Sequence, residues 1–178
     1  LLTPDAFQQV RGRVTAHRWE SINRVIVTQG REQPRLRPGT AVSIIRECLT
    51  ALAALHRQGI IHNDIKPGNV MLKRSGNAKI IDIGSAYELK HRPASRSCTP
   101  NYAAPEVLTG QPGTARSDLA SLGYMLTEMI CGVQPFEKMT FDELVHAKNT
   151  VGDWLPKLLP PEEFAYSEPL LRLIRGLM

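Results

Sequence analysis

Residues His62 to Asn69 read His-Asn-Asp-Ile-Lys-Pro-Gly-Asn, and this short stretch carries three chemically useful side chains. Asp64 supplies a carboxylate that can accept a proton, Lys66 supplies a cation, and Asn69 supplies an amide oxygen. A second stretch from Asp82, Asp-Ile-Gly, adds another carboxylate beside a glycine. Carboxylate and amide oxygens are ligands that Mg²⁺ prefers in proteins. The two stretches together indicate a site that holds a metal ion and neutralises negative charge.

A β-hairpin is predicted between these two stretches. Two apolar runs, 70–73 and 79–81, flank a Ser-Gly-Asn sequence that is typical of a tight turn. The hairpin would place Asn69 at its entry and Asp82 at its exit, on the same edge. We therefore expect both side chains to reach one metal site.

An amphipathic helix is predicted before the first stretch. Apolar residues recur there at intervals of three and four, which favours a helix that is capped by Thr40 and ends near Gly59. Ile60 and Ile61 would form a short strand after it. Before residue 30, Trp19 to Ile26 suggest a short helical segment.

Three more helices are predicted after a polar segment at 85–103. The first is strongly apolar, opens at Ser117 and ends at Gly132. The second begins with the capping-box spacing of Thr140 and Glu143 and runs to about Asn149. The last helix starts at Ser167.

The order of these motifs resembles the second half of a protein kinase domain of the serine/threonine type. The matching elements are His-x-Asp-x-Lys-x-x-Asn at 62–69, Asp-x-Gly at 82–84 and Ala-Pro-Glu at 104–106. Each element is common by chance, but their shared order and spacing are not. The resemblance implies a protein kinase-like α+β fold. The chain would cover mainly the helical C-terminal lobe, with the β-hairpin at the edge of the active-site cleft.

The resemblance also implies roles for the residues that match these motifs. Asp64 matches the catalytic base, and Lys66 matches the lysine that touches the transferred phosphate. Asn69 and Asp82 match the two magnesium-binding positions. Met71 lies where the family floors the adenine pocket, although a core methionine would explain it equally well.

Four further residues match supporting positions. Thr99 would bond the catalytic aspartate and help to select the acceptor residue. Glu106 would pair with an arginine that the pattern places beyond Met178. Asp118 would anchor the backbone of the catalytic loop, and it could also be an N-cap residue, since the two roles are compatible. His62 would be structural, packing under the Asp-Gly element, with acid–base work as the alternative.

The sequence departs from the kinase pattern at several positions. Asn63 stands where most regulated kinases have an arginine that binds a phosphate on the activation segment. We therefore do not expect the ordering of that segment to depend on phosphorylation. Ile83 replaces a phenylalanine, and Cys98 replaces a glycine. No Gly-x-Gly-x-x-Gly loop occurs. We therefore expect the N-terminal lobe to be absent from 1–178, with 1–39 as an irregular or inserted lead-in.

The function implied is a eukaryotic-like, bacterial-type serine/threonine protein kinase that uses ATP and Mg²⁺ and acts on a serine or threonine of a protein substrate. The fragment alone should be inactive, because half of the phosphate cradle is missing. Two alternatives stay open: a pseudokinase that serves as a binding module, and a small-molecule phosphotransferase.

Composition excludes other classes. The chain has 178 residues, 42% of them hydrophobic and 22% charged, as in an ordinary globular domain. Its net charge of +5 is scattered and only 6% of residues are aromatic, which argues against nucleic-acid binding. No apolar run reaches the roughly 18 residues of a membrane span. We expect a cytoplasmic location, and a membrane or sensor domain outside the chain stays open.

Overall fold

The computed structural model describes residues 20–21, 35–73, 77–93, 97–159 and 167–178. In these ranges the helices are α1 (Pro38–Arg57), α2 (Pro105–Leu108), α3 (Ala115–Cys131), α4 (Phe141–Asn149), α5 (Val151–Leu158) and α6 (Ser167–Leu177). The strands are β1 (Glu20–Ser21), β2 (Ile60–Ile61), β3 (Val70–Leu72), β4 (Ala78–Ile80) and β5 (Tyr87–Glu88), and a 3₁₀ turn spans Pro67–Asn69.

The core forms where α1 and α6 pack against α3. The apolar face of α1 supplies Ile44, Ile45, Cys48 and Leu52, none of them more than 1% exposed. Within the described ranges, α1 is the helix that is long and apolar enough to cross a membrane. The burial of its apolar face against α3, however, is typical of a core helix.

The predicted helix α1 is confirmed, but its N-terminus differs from the prediction. Pro38 occupies the first turn and Arg37 is the N-cap residue, so Thr40 is not the cap. Proline suits this position because the first helical N–H groups have no intrahelical partner. The helix ends at Arg57, and Gly59 then adopts a left-handed φ of 71° that turns the chain into β2.

Helices α3 and α4 both begin with capping boxes. Thr114 caps α3 with Ser117 at the third position, so the helix begins before the predicted Ser117. The box of Thr140 and Glu143 at the start of α4 is confirmed. Gly132 ends α3 with a φ of 72°, as predicted. The short helices α2 and α5 were not predicted, because neither is long enough to display a clear apolar period.

The predicted hairpin is confirmed as β3 paired with β4, Val70 lying opposite Ile80. β1 pairs with the other edge of β3, so the helical prediction is wrong at Glu20 and Ser21. The rest of that predicted segment, and the lead-in before it, lie outside the described residues. The predicted strand β2 is confirmed. It pairs with β5, a strand that the sequence did not predict. A two-residue strand inside a polar segment has no detectable period and forms only because β2 lies beside it.

Candidate active site

The loop between β2 and the 3₁₀ turn is fastened to α3 by one buried carboxylate. Asp118 is 1% exposed, and its side chain accepts hydrogen bonds from the backbone N–H groups of His62 (3.0 Å) and Asn63 (2.8 Å). His56 Nε2, at the end of α1, lies 2.8 Å from the same carboxylate. Thr114, not Asp118, caps α3, so the N-cap reading of Asp118 does not hold. Asp118 thereby joins α1 and α3 to the loop that carries Asp64.

These bonds hold Asn63 in an unusual conformation. Its φ is 66°, in the left-handed region that residues other than glycine seldom occupy. Its side chain donates to the carbonyl of Ser97 at 3.2 Å, which ties the catalytic loop to the polar segment without a charge. The Asn63 Oδ1 atom is buried and has no hydrogen-bond partner within the described residues.

Close packing at Gly113 yields a test of this arrangement. A Cβ atom there would lie 2.9 Å from Asn63 Oδ1 and 3.0 Å from the Tyr87 hydroxyl, which donates to the Gly113 carbonyl. Gly113→Ala should therefore lower the free energy of unfolding by about 1–3 kcal/mol through overpacking. Urea denaturation measures this change. Gly39→Ala in α1, where a Cβ meets nothing within 4 Å, should leave stability unchanged or slightly higher. Equal effects of the two variants would contradict the packing argument.

Asp64 is the centre of a hydrogen-bonded cluster. Its Oδ1 accepts from the Thr99 hydroxyl (2.7 Å) and the Thr99 backbone N–H (3.1 Å). Its Oδ2 lies 2.7 Å from the Lys66 ammonium and 3.1 Å from the Asn69 amide nitrogen. Partial burial would raise the pKa of Asp64, but the hydrogen bonds from Lys66 and Thr99 outweigh it and hold the pKa below its ordinary value. Asp64 is therefore a carboxylate at neutral pH.

Lys66 links two functional side chains. Its ammonium donates to the Thr99 hydroxyl at 2.8 Å while it contacts Asp64, and its side chain is 30% exposed. A cation in this position can meet a negatively charged group that approaches Asp64 from solvent. The structure thus brings together the loop that carries Asp64 and Lys66 and the polar segment that carries Thr99, 33 residues after Lys66.

The hairpin places the two predicted metal ligands at one end. The Ile81 N–H donates to the Asn69 carbonyl at 2.9 Å, and Asp82 follows directly. Asn69 is buried, and its amide nitrogen donates to the backbone and side chain of Asp64, which leaves the lone pairs of the amide oxygen for a cation. Asp82 is exposed, with a φ of 61°, and its Oδ1 accepts from the Gly84 N–H.

This donor set fits Mg²⁺. The ion usually takes one or two carboxylates and completes its shell with water and substrate phosphates. Within the described parts of the chain, no three His, Cys, Asp or Glu side chains form a metal cluster. Asn69 and Asp82 therefore offer one amide oxygen and one carboxylate, a donor set of the size that Mg²⁺ uses when water and substrate oxygens complete its shell.

The other predicted residues occupy supporting positions. His62 is fully buried, with Nε2 3.2 Å from the carbonyl of Ile81 beside the Asp-Gly element, so its ring is packed and not presented to a substrate. Glu106 lies in the first turn of α2 and accepts a 2.6 Å hydrogen bond from the Ser117 hydroxyl. Met71 is half-buried on β3. The pairing of Glu106 with an arginine that the family pattern places beyond Met178 stays a prediction.

Several contacting residues were not found by sequence reasoning. His56 joins Asp118, Ser117 joins Glu106, and the Tyr102 hydroxyl donates to the buried Glu128. Lys148, on α4, is buried under the polar segment. The position of Lys148 in the sequence could have indicated its role. It lies on the apolar side of an amphipathic helix, and a lysine is rarely buried there without a partner.

Comparison with known proteins agrees with this geometry. The protein kinase domain family matches residues 16–178. A probable serine/threonine-protein kinase of Corynebacterium efficiens is 35% identical over 113 residues, 60% of this chain and 17% of that protein. An Aurora kinase of Yarrowia lipolytica is 38% identical over 109 residues, 61% of this chain and 29% of that protein.

A third relative is matched over more of the chain. The serine/threonine-protein kinase STE20 of Candida glabrata is 34% identical over 142 residues, 78% of this chain and 15% of that protein. The chain thus spans less than a third of the length of each of these relatives. The described fold, mostly helical with a small antiparallel sheet, agrees with the helical lobe of such a domain. The chain belongs to the protein kinase domain family.

Proposed function

We propose that the protein containing this chain transfers the γ-phosphoryl group of ATP to a serine or threonine hydroxyl of a protein, with Asp64 as the base. The observation that carries the proposal is the cluster in which the Lys66 ammonium contacts both the Asp64 carboxylate and the Thr99 hydroxyl. It joins a proton acceptor to a cation whose side chain is partly exposed to solvent.

In this proposal, Asp64 orients the acceptor hydroxyl and takes its proton. Its low pKa keeps it ionised, so it can accept a hydrogen bond from the acceptor hydroxyl and then receive its proton. Lys66 neutralises charge on the phosphoryl group as it moves. Thr99 and Asn69 fix the carboxylate orientation through three hydrogen bonds, which restricts Asp64 to one geometry.

Asn69 and Asp82 would hold Mg²⁺, and Met71 would contact the adenine of ATP. When bound, Mg²⁺ supplies positive charge that stabilises the phosphate oxygens during transfer. The hairpin supports this assignment, because its backbone pairing fixes the position of Asn69 relative to Asp82.

A protein acceptor is favoured over a small molecule by the loop that follows Thr99. The N–H groups of Tyr102 and Ala103 donate to the Thr99 carbonyl, which builds a compact turn directly beside Asp64. The names of the relatives, serine/threonine-protein kinases, point the same way. A pseudokinase is disfavoured, since a binding module needs neither Asp64 nor Lys66. The three free cysteines support the cytoplasmic location we propose.

The test is transfer of labelled phosphate from ATP by the complete protein to myelin basic protein, a generic serine/threonine acceptor. Transfer should require Mg²⁺, and Asp82→Asn should reduce it by about a hundredfold at fixed Mg²⁺. Asp153→Asn removes an exposed carboxylate of α5 and should leave the rate unchanged. Transfer without Mg²⁺, or no transfer to any protein by the wild type, would overturn the proposal.

A further inference from the structure

Lys148 is a buried cation that the proposed chemistry does not use. It lies near the end of α4 and is 4% exposed. Its ammonium donates hydrogen bonds to the carbonyls of Asn101 (3.0 Å) and Ala103 (2.6 Å). Lysine is almost never buried to this degree without partners that compensate for its lost hydration.

The partners of Lys148 are unusual because they carry no formal charge. Besides the two carbonyls, the ammonium lies 3.9 Å from the ring centroid of Tyr124 and 4.3 Å from that of Phe136. The two rings meet edge to face at 5.0 Å and form the floor of this site. Cation–π contacts and carbonyl dipoles together replace part of the hydration that burial removes.

The two carbonyls belong to a short loop with a defined position. We call residues 99–104 the acceptor loop, because Thr99 at its start donates two hydrogen bonds to Asp64, the proposed base. The Lys148 ammonium binds the carbonyls of Asn101 and Ala103, further along the same loop. The loop is thus fixed at one end by Asp64 and at the other by α4, which lies 45 residues further along the chain.

We propose that Lys148 is a positioning residue, whose ammonium holds the acceptor loop in the conformation that receives the protein substrate. The substrate part of this inference rests on the proposed function, whereas the holding of the loop does not. Lys148 touches none of the reacting groups and acts through the carbonyls of Asn101 and Ala103.

The charge of Lys148 makes the contact sensitive to pH. Burial lowers the pKa of Lys148 to about 7, although Cys98 before the loop and Glu106 on α2 partly offset this. Tyr124 on α3 faces the ammonium as a neutral phenol, because burial raises its pKa. As the pH rises through about 7, the ammonium loses its proton, and its hydrogen bonds and cation–π contacts weaken.

Folding has the opposite pH dependence. The folded-state pKa of Lys148 lies below the ordinary value of 10.5, so the unfolded chain binds more protons between the two values. The contribution of Lys148 to the free energy of unfolding therefore rises as the pH goes from about 7 to 10.5. Over the same range, its hydrogen bonds to the loop carbonyls weaken.

Hydrogen exchange tests the holding of the loop directly. In the complete protein, Lys148→Met should speed exchange of the Tyr102 and Ala103 amides about tenfold at pH 6.5, after correction for intrinsic rates. The ratio between variant and wild type should shrink toward pH 8.5. Lys157→Met, at an exposed lysine on α5, is the matched control and should change neither amide. Equal exchange in Lys148→Met and wild type would overturn the inference.

Kinetics tests the consequence for substrate. With myelin basic protein as acceptor, Lys148→Met should raise KM for the protein about tenfold and leave KM for ATP unchanged. Wild-type transfer should decline as the pH rises through about 7, because Lys148 loses its proton there. Lys148→Arg keeps its charge, so its transfer should not decline in this range. Equal rises in both KM values would indicate a general structural defect and overturn the positioning role. If Lys148→Met speeds hydrogen exchange as expected but the wild type transfers no phosphate, the proposed function is refuted and the holding of the loop is not.

Discussion

Asp64→Asn should reduce phosphate transfer by about a thousandfold while leaving the protein folded. The substitution preserves shape but removes the charge that receives the acceptor proton. It also places an amide beside Lys66 and Thr99, both of which donate to the carboxylate in the wild type. Single-turnover transfer from labelled ATP, with the circular dichroism spectrum as a check on folding, measures the effect.

Asp142→Asn is the matched control for this loss. Asp142 is an exposed carboxylate in the first turn of α4, so its removal should change transfer less than twofold and stability only slightly. If Asp64→Asn retained a tenth or more of the wild-type rate, Asp64 would not be the base. A loss shared by both variants would point to net charge instead of position.

Asp118→Ala should have the largest effect on stability, lowering the free energy of unfolding by about 3–5 kcal/mol. The substitution leaves the N–H groups of His62 and Asn63 buried without their acceptor and removes the partner of His56. It also releases the left-handed backbone of Asn63, which carries strain that these bonds now offset. Urea denaturation followed by tryptophan fluorescence measures the loss.

Asp153→Ala provides the comparison, since it removes an exposed aspartate from α5 and should cost less than about 1 kcal/mol. Asp118→Asn retains one acceptor oxygen and should fall between the two. An Asp118→Ala variant as stable as Asp153→Ala would show that the loop holds its conformation without this anchor.

The local elements of this protein follow directly from its sequence. Periodicity predicts α1 and α3, the capping-box spacing of Thr140 and Glu143 predicts the start of α4, and the Ser-Gly-Asn turn predicts the β3–β4 hairpin. Helix periods, caps and tight turns depend on residues only a few positions apart, so a single sequence contains them. The family and the positions of the candidate catalytic residues follow from motif order.

Two of the short strands could not be predicted from the sequence. β1 and β5 have two residues each and exist because β3 and β2 lie beside them. Thr40 resembled a helix cap, yet Pro38 begins the helix, because proline satisfies the first turn without a side-chain cap. The pairing of β1 and β5 thus depends on strands that are distant in sequence, whereas the start of α1 depends on a proline only two residues from Thr40.

Tertiary structure alone decided how the candidate site is supported. The chain order gives no sign that Asp118 binds His56, or that Lys148 reaches the carbonyls of Asn101 and Ala103. These contacts join residues 45 to 62 positions apart, and only the packing of α3 and α4 against the catalytic segments brings them together. The sequence determined which chemical groups the site contains, and the packed helices determined which of them are buried, paired and held.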